Sequence, residues 1–279
     1  MFDLVMITTC TCSSYISNLL KSITVNNTYI NILVIAVLQN KVQVLVNKTA
    51  NTNIQTIELD NIISLSKARN IALQHLIQNQ ISYDYIMFPD DDSSFDTHFF
   101  ANFKNCVKPC SLIDVYGTGT QIHYKKHKMK HGETLSIGNH QNAMSVNMII
   151  DSNTQRKVGE FDEMLGVGTY YGAGEDNDYY IRCIKAGATF YYIDNLWTFH
   201  PLNVVKNKDI PLSKLIFRYQ SYGRGAIRMF LKHQMKMEAL MCITQGFGGI
   251  VSAILKLDVK LACARVFGVY SRIKTYIQY

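Results

Sequence analysis

The sequence lacks several features that would place it in a simple class. It has no internal repeat and no low-complexity segment, and its 48% hydrophobic and 18% charged residues are typical of a globular protein rather than a disordered one. Residues 1–10 contain no basic region and resemble a strand, so we expect no secretory signal. A chain of 279 residues can form one large domain, or one domain with an appendage.

The seven cysteines do not form a complete zinc site. Cys10 and Cys12 are one close pair and Cys106 and Cys110 are another, but no second pair or nearby histidine completes four ligands for either. The set is odd in number and scattered along the chain. We therefore expect reduced thiols in a cytosolic protein.

Charge is distributed unevenly along the chain. Residues 205–279 contain 13 Lys or Arg and three acids, a net charge of +10, whereas residues 1–204 carry a net charge of −3. The basic residues of this tail alternate with apolar stripes, and the uncharged run 239–255 is at the lower length limit for crossing a bilayer. We expect residues 205–279 to form amphipathic helices that lie on the inner face of the membrane without crossing it.

Strand and helix patterns alternate over the first 110 residues. Predicted strands are 2–8, 30–38, 42–46 and 83–88. Predicted helices are one starting near Ser13 or Ser14, one over 67–78 capped by Ser66, and one near 95–107. Further on, the patterns predict strands at 112–124, 143–150 and 188–194 and a helix at 176–185. Alternation of this kind predicts an α/β fold, with a doubly wound, mostly parallel sheet in residues 1–204.

Three consecutive aspartates, Asp90, Asp91 and Asp92, follow the apolar run 83–88. Adjacent like charges repel, and a hard divalent cation that takes carboxylate and phosphate oxygens would hold them together. An acidic surface turn is the alternative. Their position at the end of a strand in an open α/β sheet, where ligands bind, favours a site for Mg²⁺ or Mn²⁺ that neutralises a diphosphate.

The diphosphate at such a site would belong to a nucleotide-containing donor. Polar residues at other strand and helix ends are candidates for binding the nucleotide part of this donor, together with Asp90 and Asp91. They follow the first two strands or begin the second helix: Thr8, Thr9, Gln39, Asn40, Arg69 and Asn70. Arg69 can equally be a solvated charge. His200, at another strand end, can be a structural histidine or a third metal ligand. The basic loop 125–132 can bind an anionic acceptor or be a solvated loop.

A second acidic site, Glu175 and Asp176, follows a glycine-rich segment, residues 166–174. A carboxylate opposite a metal-bound donor can accept a proton from an attacking hydroxyl group. Alternatively, both residues cap a helix and interact with its dipole. The two roles are compatible.

An ordered set of motifs resembles family 2 glycosyltransferases with the GT-A fold. The motifs span about residues 3–201 and run in the family's order: Ser66-Lys-Ala-Arg-Asn70, Phe88-Pro-Asp-Asp-Asp92, Val158-Gly-Glu-Phe-Asp-Glu163, Gly174-Glu-Asp-Asn-Asp178 and His200-Pro201. The resemblance implies a nucleotide-sugar donor, Asp90 and Asp92 as the metal and diphosphate element, Asp176 as catalytic base, His200 near the metal, and inversion at the anomeric carbon.

The sequence therefore predicts a metal-dependent inverting glycosyltransferase that builds a surface glycan on a lipid-linked acceptor at the cytosolic membrane face. A nucleotidyltransferase, which also binds nucleotides through acidic metal sites, is one alternative. A non-catalytic basic protein that binds nucleic acid or membranes is another. The negative charge of residues 1–204 argues against nucleic acid as the partner.

Overall fold

The computed structural model describes residues 1–45, 49–120, 122–123, 129–202 and 210–279. Its contacts divide the chain into two compact units. The first unit comprises Met1–Ile63, Lys67–Phe161 and Tyr179–Leu202. The second comprises Ser64–Ser66, Asp162–Asp178 and Asn203–Tyr279. The first half of the predicted basic loop 125–132, residues 125–128, lies outside the described residues.

Within the described residues, eight strands of the first unit form one sheet in the order β3-β2-β1-β4-β7-β5-β8-β6. Strands β3, β2, β1 and β4 are mutually parallel, as are β5 and β8, whereas β7 runs antiparallel to β4 and β5. The short β6 runs antiparallel to β8. The bounds are β1 Phe2–Cys10, β2 Ile32–Gln39, β3 Thr52–Leu59, β4 Tyr83–Met87, β5 Cys110–Gly117, β6 Thr134–Leu135, β7 Met148–Asp151 and β8 Phe190–His200.

The helices of this part of the chain are α1 Ser13–Asn26, α2 Leu65–Gln78, α3 Thr97–Cys106, α4 Ser152–Val158 and α5 Glu175–Lys185. Helix α1 buries Ile16, Leu19, Leu20 and Ile23, the face that its helical spacing predicts. Every residue of β2 is buried, as expected for a strand that is covered on both sides. The predicted α/β architecture with a mostly parallel sheet is confirmed.

Several predicted boundaries were wrong. The described part of 42–46 is not a strand, although its apolar residues led to that prediction. The third parallel strand is β3, which was not predicted. β3 is only partly buried, with Thr56 and Glu58 exposed, so it accommodates more polar residues than β2 does. Ser13 and Ser66 lie inside their helices and do not cap them: Cys12 occupies the N-cap of α1, and the Ser66 hydroxyl donates to the Leu165 carbonyl oxygen.

The strands of the second half also differ from prediction. β5 ends at Gly117, where a turn begins, and Ser145–Asn147 is a 3₁₀ turn that precedes the short β7. β8 extends from Phe190 to His200, six residues beyond its predicted end, with a register irregularity opposite Ile113 and Asp114. His200 is therefore the last residue of a strand.

The second unit contains three long helices in its described part, α6 Leu212–Lys232, α7 Lys236–Leu255 and α8 Val259–Gln278. Arg265 and Arg272 of α8 donate hydrogen bonds to backbone carbonyl groups of α7, at Gly249 and Cys242. The predicted helical nature of the C-terminal region is confirmed.

All seven cysteines are free thiols. Burial raises the pKa of the Cys10 thiol to about 12, with a further contribution from the negative charge of Asp91. Burial likewise raises the pKa of Cys110 to about 12. Both thiols are protonated at neutral pH, so neither is a ready metal ligand or nucleophile.

Candidate active site

The aspartate triplet lies at the carboxyl end of β4, beside the carboxyl end of β1. Leu4 and Met6 of β1 pair in parallel with Tyr85 and Met87 of β4, so the residues after both strands emerge at one edge of the sheet. The side chain of Asp92 is mostly buried, and that of Asp90 is about one-third exposed. This is the edge where ligands bind in open α/β sheets.

His200 lies next to the triplet although β8 and β4 are not neighbours in the sheet. Backbone hydrogen bonds between Ser94 and Phe199, with N···O distances of 3.0 and 2.9 Å, fasten the chain after the triplet to the end of β8. The His200 Nε2 atom consequently lies 3.4 Å from Oδ2 of Asp90 and 3.3 Å from Oδ1 of Asp92.

These three residues have the composition of a divalent metal site. One ligand atom from each of Asp90, Asp92 and His200 lies within 4.8 Å of the others. Carboxylate oxygens suit Mg²⁺ and Mn²⁺, and an imidazole nitrogen is a common ligand of transition metals. The residues present therefore fit a bound divalent cation.

Asp90 is held by two further side chains. A guanidinium nitrogen of Arg69 lies 3.4 Å from Oδ1 of Asp90, and the Ser145 hydroxyl donates to the same oxygen at 3.3 Å. Arg69 is only 2% exposed, and its guanidinium lies 5.1 Å from the centre of the Phe161 ring. Arg69 is thus a buried cation beside the triplet and not a solvated charge.

Asn70, the neighbour of Arg69, bonds to the backbone of the segment before the glycine-rich loop. Its amide donates to the Phe161 carbonyl oxygen at 3.0 Å, and its carbonyl accepts from the Phe161 N–H at 2.8 Å. Two bonds to one residue fix helix α2 against this segment. They describe a structural role, and a donor-binding role for Asn70 stays a prediction.

The other predicted donor-binding residues lie at the carboxyl ends of β1 and β2. Thr8 is buried, and its hydroxyl has no hydrogen-bond partner in the described part of the chain. The Gln39 side-chain oxygen accepts from the Ile63 N–H at 2.8 Å. Asn40 has a positive φ of 58°, a conformation that asparagine tolerates in turns. With Thr9, which pairs with Val37, these residues share the sheet edge of the triplet.

Glu175 and Asp176 form the first turn of α5, in the second unit. Glu175 is buried and Asp176 is half-buried. The loop before them lies directly against helix α6: the Gly172 N–H donates to the Ser221 carbonyl oxygen, and a Cβ atom on Gly225 would lie 2.3 Å from the Ala173 carbonyl oxygen. Only glycine at position 225 permits this approach.

A buried ionic cluster, the Asp178 cluster, follows in the same turn of α5. It consists of Asp162, Asp178, Lys232 and His233. Asp178 is fully buried, with the Lys232 ammonium at 2.7 Å and the His233 Nε2 atom at 2.8 Å, and Lys232 also pairs with Asp162 at 2.7 Å. The end of α6 is therefore ion-paired to the turn that carries Glu175 and Asp176.

Comparison with known proteins gives matches in structure rather than sequence. No protein-family model matches the chain, and no curated protein matches its sequence. Residues 1–349 of TarS from S. aureus, solved in complex with UDP-GlcNAc, are 13% identical with a TM-score of 0.54, over 99% of this chain and 91% of that one. A mannosyltransferase from Pyrobaculum calidifontis, solved with GDP-Man and Mn²⁺, is 11% identical with a TM-score of 0.57, over 98% of this chain and 87% of that one.

The chain has a GT-A-like glycosyltransferase fold. It spans 43% of the length of a longer TarS chain, so it corresponds to only part of that protein. The GT-A fold was predicted from the order of the sequence motifs, and the structural matches confirm it. Membership of family 2 and inversion stay predictions.

Some residues that organise the site were missed by the sequence analysis. Ser145, which bonds to Asp90, is in an irregular segment that was predicted to be a strand. Lys232 was counted only among the basic residues of the tail, although it pairs with Asp162 and Asp178. No local pattern signals either contact, because the partners are 54 to 70 residues apart.

Proposed function

We propose that this protein is a metal-dependent glycosyltransferase that moves a sugar from a nucleotide-sugar donor to a hydroxyl group of an acceptor. The observation that carries the proposal is the Asp90, Asp92 and His200 cluster at the carboxyl edge of a GT-A-like sheet. Support also comes from the structural neighbours, one solved with UDP-GlcNAc and one with GDP-Man and Mn²⁺. The acceptor we propose is a lipid-linked glycan in surface polysaccharide synthesis.

Asp90, Asp92 and His200 would hold Mn²⁺ or Mg²⁺. When bound, the cation would neutralise charge on the diphosphate as the bond to the sugar breaks. Arg69, buried against Asp90, holds that carboxylate in place by charge and hydrogen bonding. Thr8, Thr9, Gln39, Asn40, Asn70 and Asp91 are proposed to contact the donor.

Asp176 is proposed as the base and Glu175 as its catalytic partner. The acceptor hydroxyl would pass its proton to the Asp176 carboxylate while its oxygen attacks the anomeric carbon and the nucleoside diphosphate leaves from the opposite side. This displacement inverts the anomeric centre, and its transition state resembles an oxocarbenium ion. The Asp178 cluster fixes the helical turn in which Asp176 lies.

A thermal-shift panel of nucleoside diphosphates tests the donor site. We expect UDP or GDP to raise the melting temperature in the presence of Mn²⁺ and to do so much less with EDTA, because a ligand that binds only the folded state stabilises it. The preferred base also identifies the donor nucleotide. Equal shifts with and without the metal, or no shift with any nucleotide, would contradict the proposal.

The C-terminal region is proposed to dock on the membrane surface. In the described part of the chain, one helix, α7, is long and apolar enough to cross a bilayer. Only 17% of its most apolar 18-residue stretch is buried inside the protein. Exposed apolar side chains on α7 include Phe247, Val251 and Ile254, which share one helical face. Together with the basic tail, this face supports a membrane surface as partner.

We expect Phe247→Asp to weaken flotation with anionic vesicles by about 10-fold or more, since burying a large apolar side chain contributes about 1.5–3 kcal/mol. Ile77→Asp, at an exposed apolar position of α2 outside the tail, is the matched control and should float normally. An equal loss of vesicle flotation in both variants would argue against docking through α7. A C-terminal tag located on the far side of the membrane from the catalytic unit would exclude purely interfacial docking.

A further inference from the structure

The second unit contains a cavity of about 200 Å³ that has no role in the reaction proposed above. It is lined by loop residues that precede Glu175 and by residues of α6, α8 and the chain end: Tyr170, Tyr171, Arg228, Thr275, Gln278 and Tyr279. These side chains supply hydrogen-bond donors and aromatic faces, and none of them is acidic.

Arg228 is the one cationic residue among those lining residues. Its guanidinium lies 5.6 Å from the centre of the Tyr171 ring and 4.8 Å from that of Tyr279, so two aromatic rings hold it. Its Nε atom is buried with no hydrogen-bond partner among the described residues. A buried N–H donor without a partner is costly, which favours a ligand that accepts from it.

A second arginine adds positive charge next to the cavity. The Arg224 guanidinium lies 4.1 Å from the centre of the Tyr170 ring, and its Nε donates to the Tyr170 carbonyl oxygen at 2.9 Å. Arg224 and Arg228 are four residues apart, so both project from the same side of α6. Neither forms an ion pair in the part of the chain that the structure describes.

We infer that this cavity binds a phosphate group carried by the acceptor. The planar guanidinium donates in parallel to two oxygens of a phosphate, and the phenol, hydroxyl and amide groups can donate to the others. The tyrosine rings offer flat faces for an adjoining sugar. The cavity is assigned to the acceptor because Tyr170 and Tyr171 belong to the loop that leads into Asp176, the proposed base. The inference therefore rests on the proposed function.

The test measures phosphate binding by the full chain in EDTA, which removes any phosphate binding at a metal. Glycerol 3-phosphate and inorganic phosphate are the soluble probes, with glycerol as the uncharged control. Phosphatidylcholine vesicles with and without a polyprenyl phosphate are the lipid probe. Arg228→Gln is compared with Lys256→Gln, which removes the same charge from an exposed position of the tail.

We expect Arg228→Gln to weaken binding of the phosphate probe by about 10-fold or more, as for loss of a charge-assisted hydrogen bond. Lys256→Gln should change it by less than about 3-fold, as for an exposed charge. Binding of glycerol 3-phosphate indicates a soluble phosphorylated acceptor, and Arg228-dependent binding only to the polyprenyl phosphate vesicles indicates a lipid-linked one. Either result supports the inference.

Equal weakening in the two variants would show general attraction to the basic tail and would overturn the inference, as would the absence of phosphate binding in every arm. The UDP or GDP thermal shift with Mn²⁺ is measured on the same protein preparations in buffer without EDTA. A normal shift without phosphate binding means that only the cavity assignment is wrong. Loss of the nucleotide response in the unmodified protein means that the proposed function itself is wrong. A normal shift in Arg228→Gln shows that this variant is folded.

Discussion

Asp92→Asn is expected to lower glycosyl transfer by about 10³-fold, since a bound cation supplies several kcal/mol of charge stabilisation in the transition state. Asparagine keeps the shape of the side chain but removes the negative charge that attracts the cation. The Asp92 oxygen lies 3.3 Å from His200 Nε2, so the substitution also changes the pair that would share the metal. Turnover and the Mn²⁺-dependent thermal shift with UDP or GDP are measured together.

Asp84→Asn is the matched control for this prediction. Asp84 lies on the same strand, β4, but six residues before Asp90 and away from its carboxyl end. The control should keep both the turnover and the metal-dependent shift. If Asp92→Asn kept the metal response while Asp84→Asn lost it, the metal site would have to be placed elsewhere.

Asp176→Asn is expected to lower turnover by about 10²-fold or more while donor affinity is kept, as for loss of a general base. The amide cannot accept the proton of the acceptor hydroxyl, but it retains the size of the side chain and leaves the Asp178 cluster intact. The measurements are kcat, KM for the donor, and the UDP or GDP thermal shift.

Glu175→Gln distinguishes the role of Glu175 from that of its neighbour Asp176. Glu175 is buried at the start of α5, where its charge also stabilises the helix N-terminus, so we expect a smaller loss of turnover with some loss of stability. Glu160→Gln, at an exposed carboxylate outside the site, should be neutral. A fully active Asp176→Asn protein would move the role of base to another residue.

The parts of the site that could be predicted are those that a local rule determines. An apolar strand followed by carboxylates places Asp90 and Asp92 at a binding edge, and His200 lies at the end of another strand. The proximity of His200 to the two aspartates depends on the hydrogen bonds between Ser94 and Phe199. These two residues are more than 100 positions apart, so no local pattern reveals the contact. The motif order supplied this information because it resembles a known family.

The errors in the fold have a similar origin. The strand predicted at 42–46 was chosen because it is apolar, whereas the chain uses the more polar β3, which pairs residue by residue with β2 from Thr52 to Leu59. Strand preference depends on neighbours and burial more than on composition. Ser66 was predicted to be a cap, but its hydroxyl bonds to Leu165, 99 residues away.

The tail shows the limit of charge patterns. Four basic residues of the tail are spaced by four, from Arg224 to Lys236, and this spacing predicts that they share one helical face. In the structure, Arg224 and Arg228 stack on tyrosines and Lys232 pairs with two aspartates. Regular spacing shows only that side chains share a helical face, and the contacts of that face decide their role.

The bonds of Lys232 and His233 to Asp178 have an evolutionary consequence. A chimera that joined the first 204 residues to the C-terminal region of another protein would remove both of these ion-pair partners of Asp178, and breaking a buried ion pair from one side is strongly destabilising. Recombination at that boundary would therefore be selected against. Natural variation at Asp178 should be accompanied by compensating changes at Lys232 and His233, so helix α6 and the first turn of α5 would be inherited together.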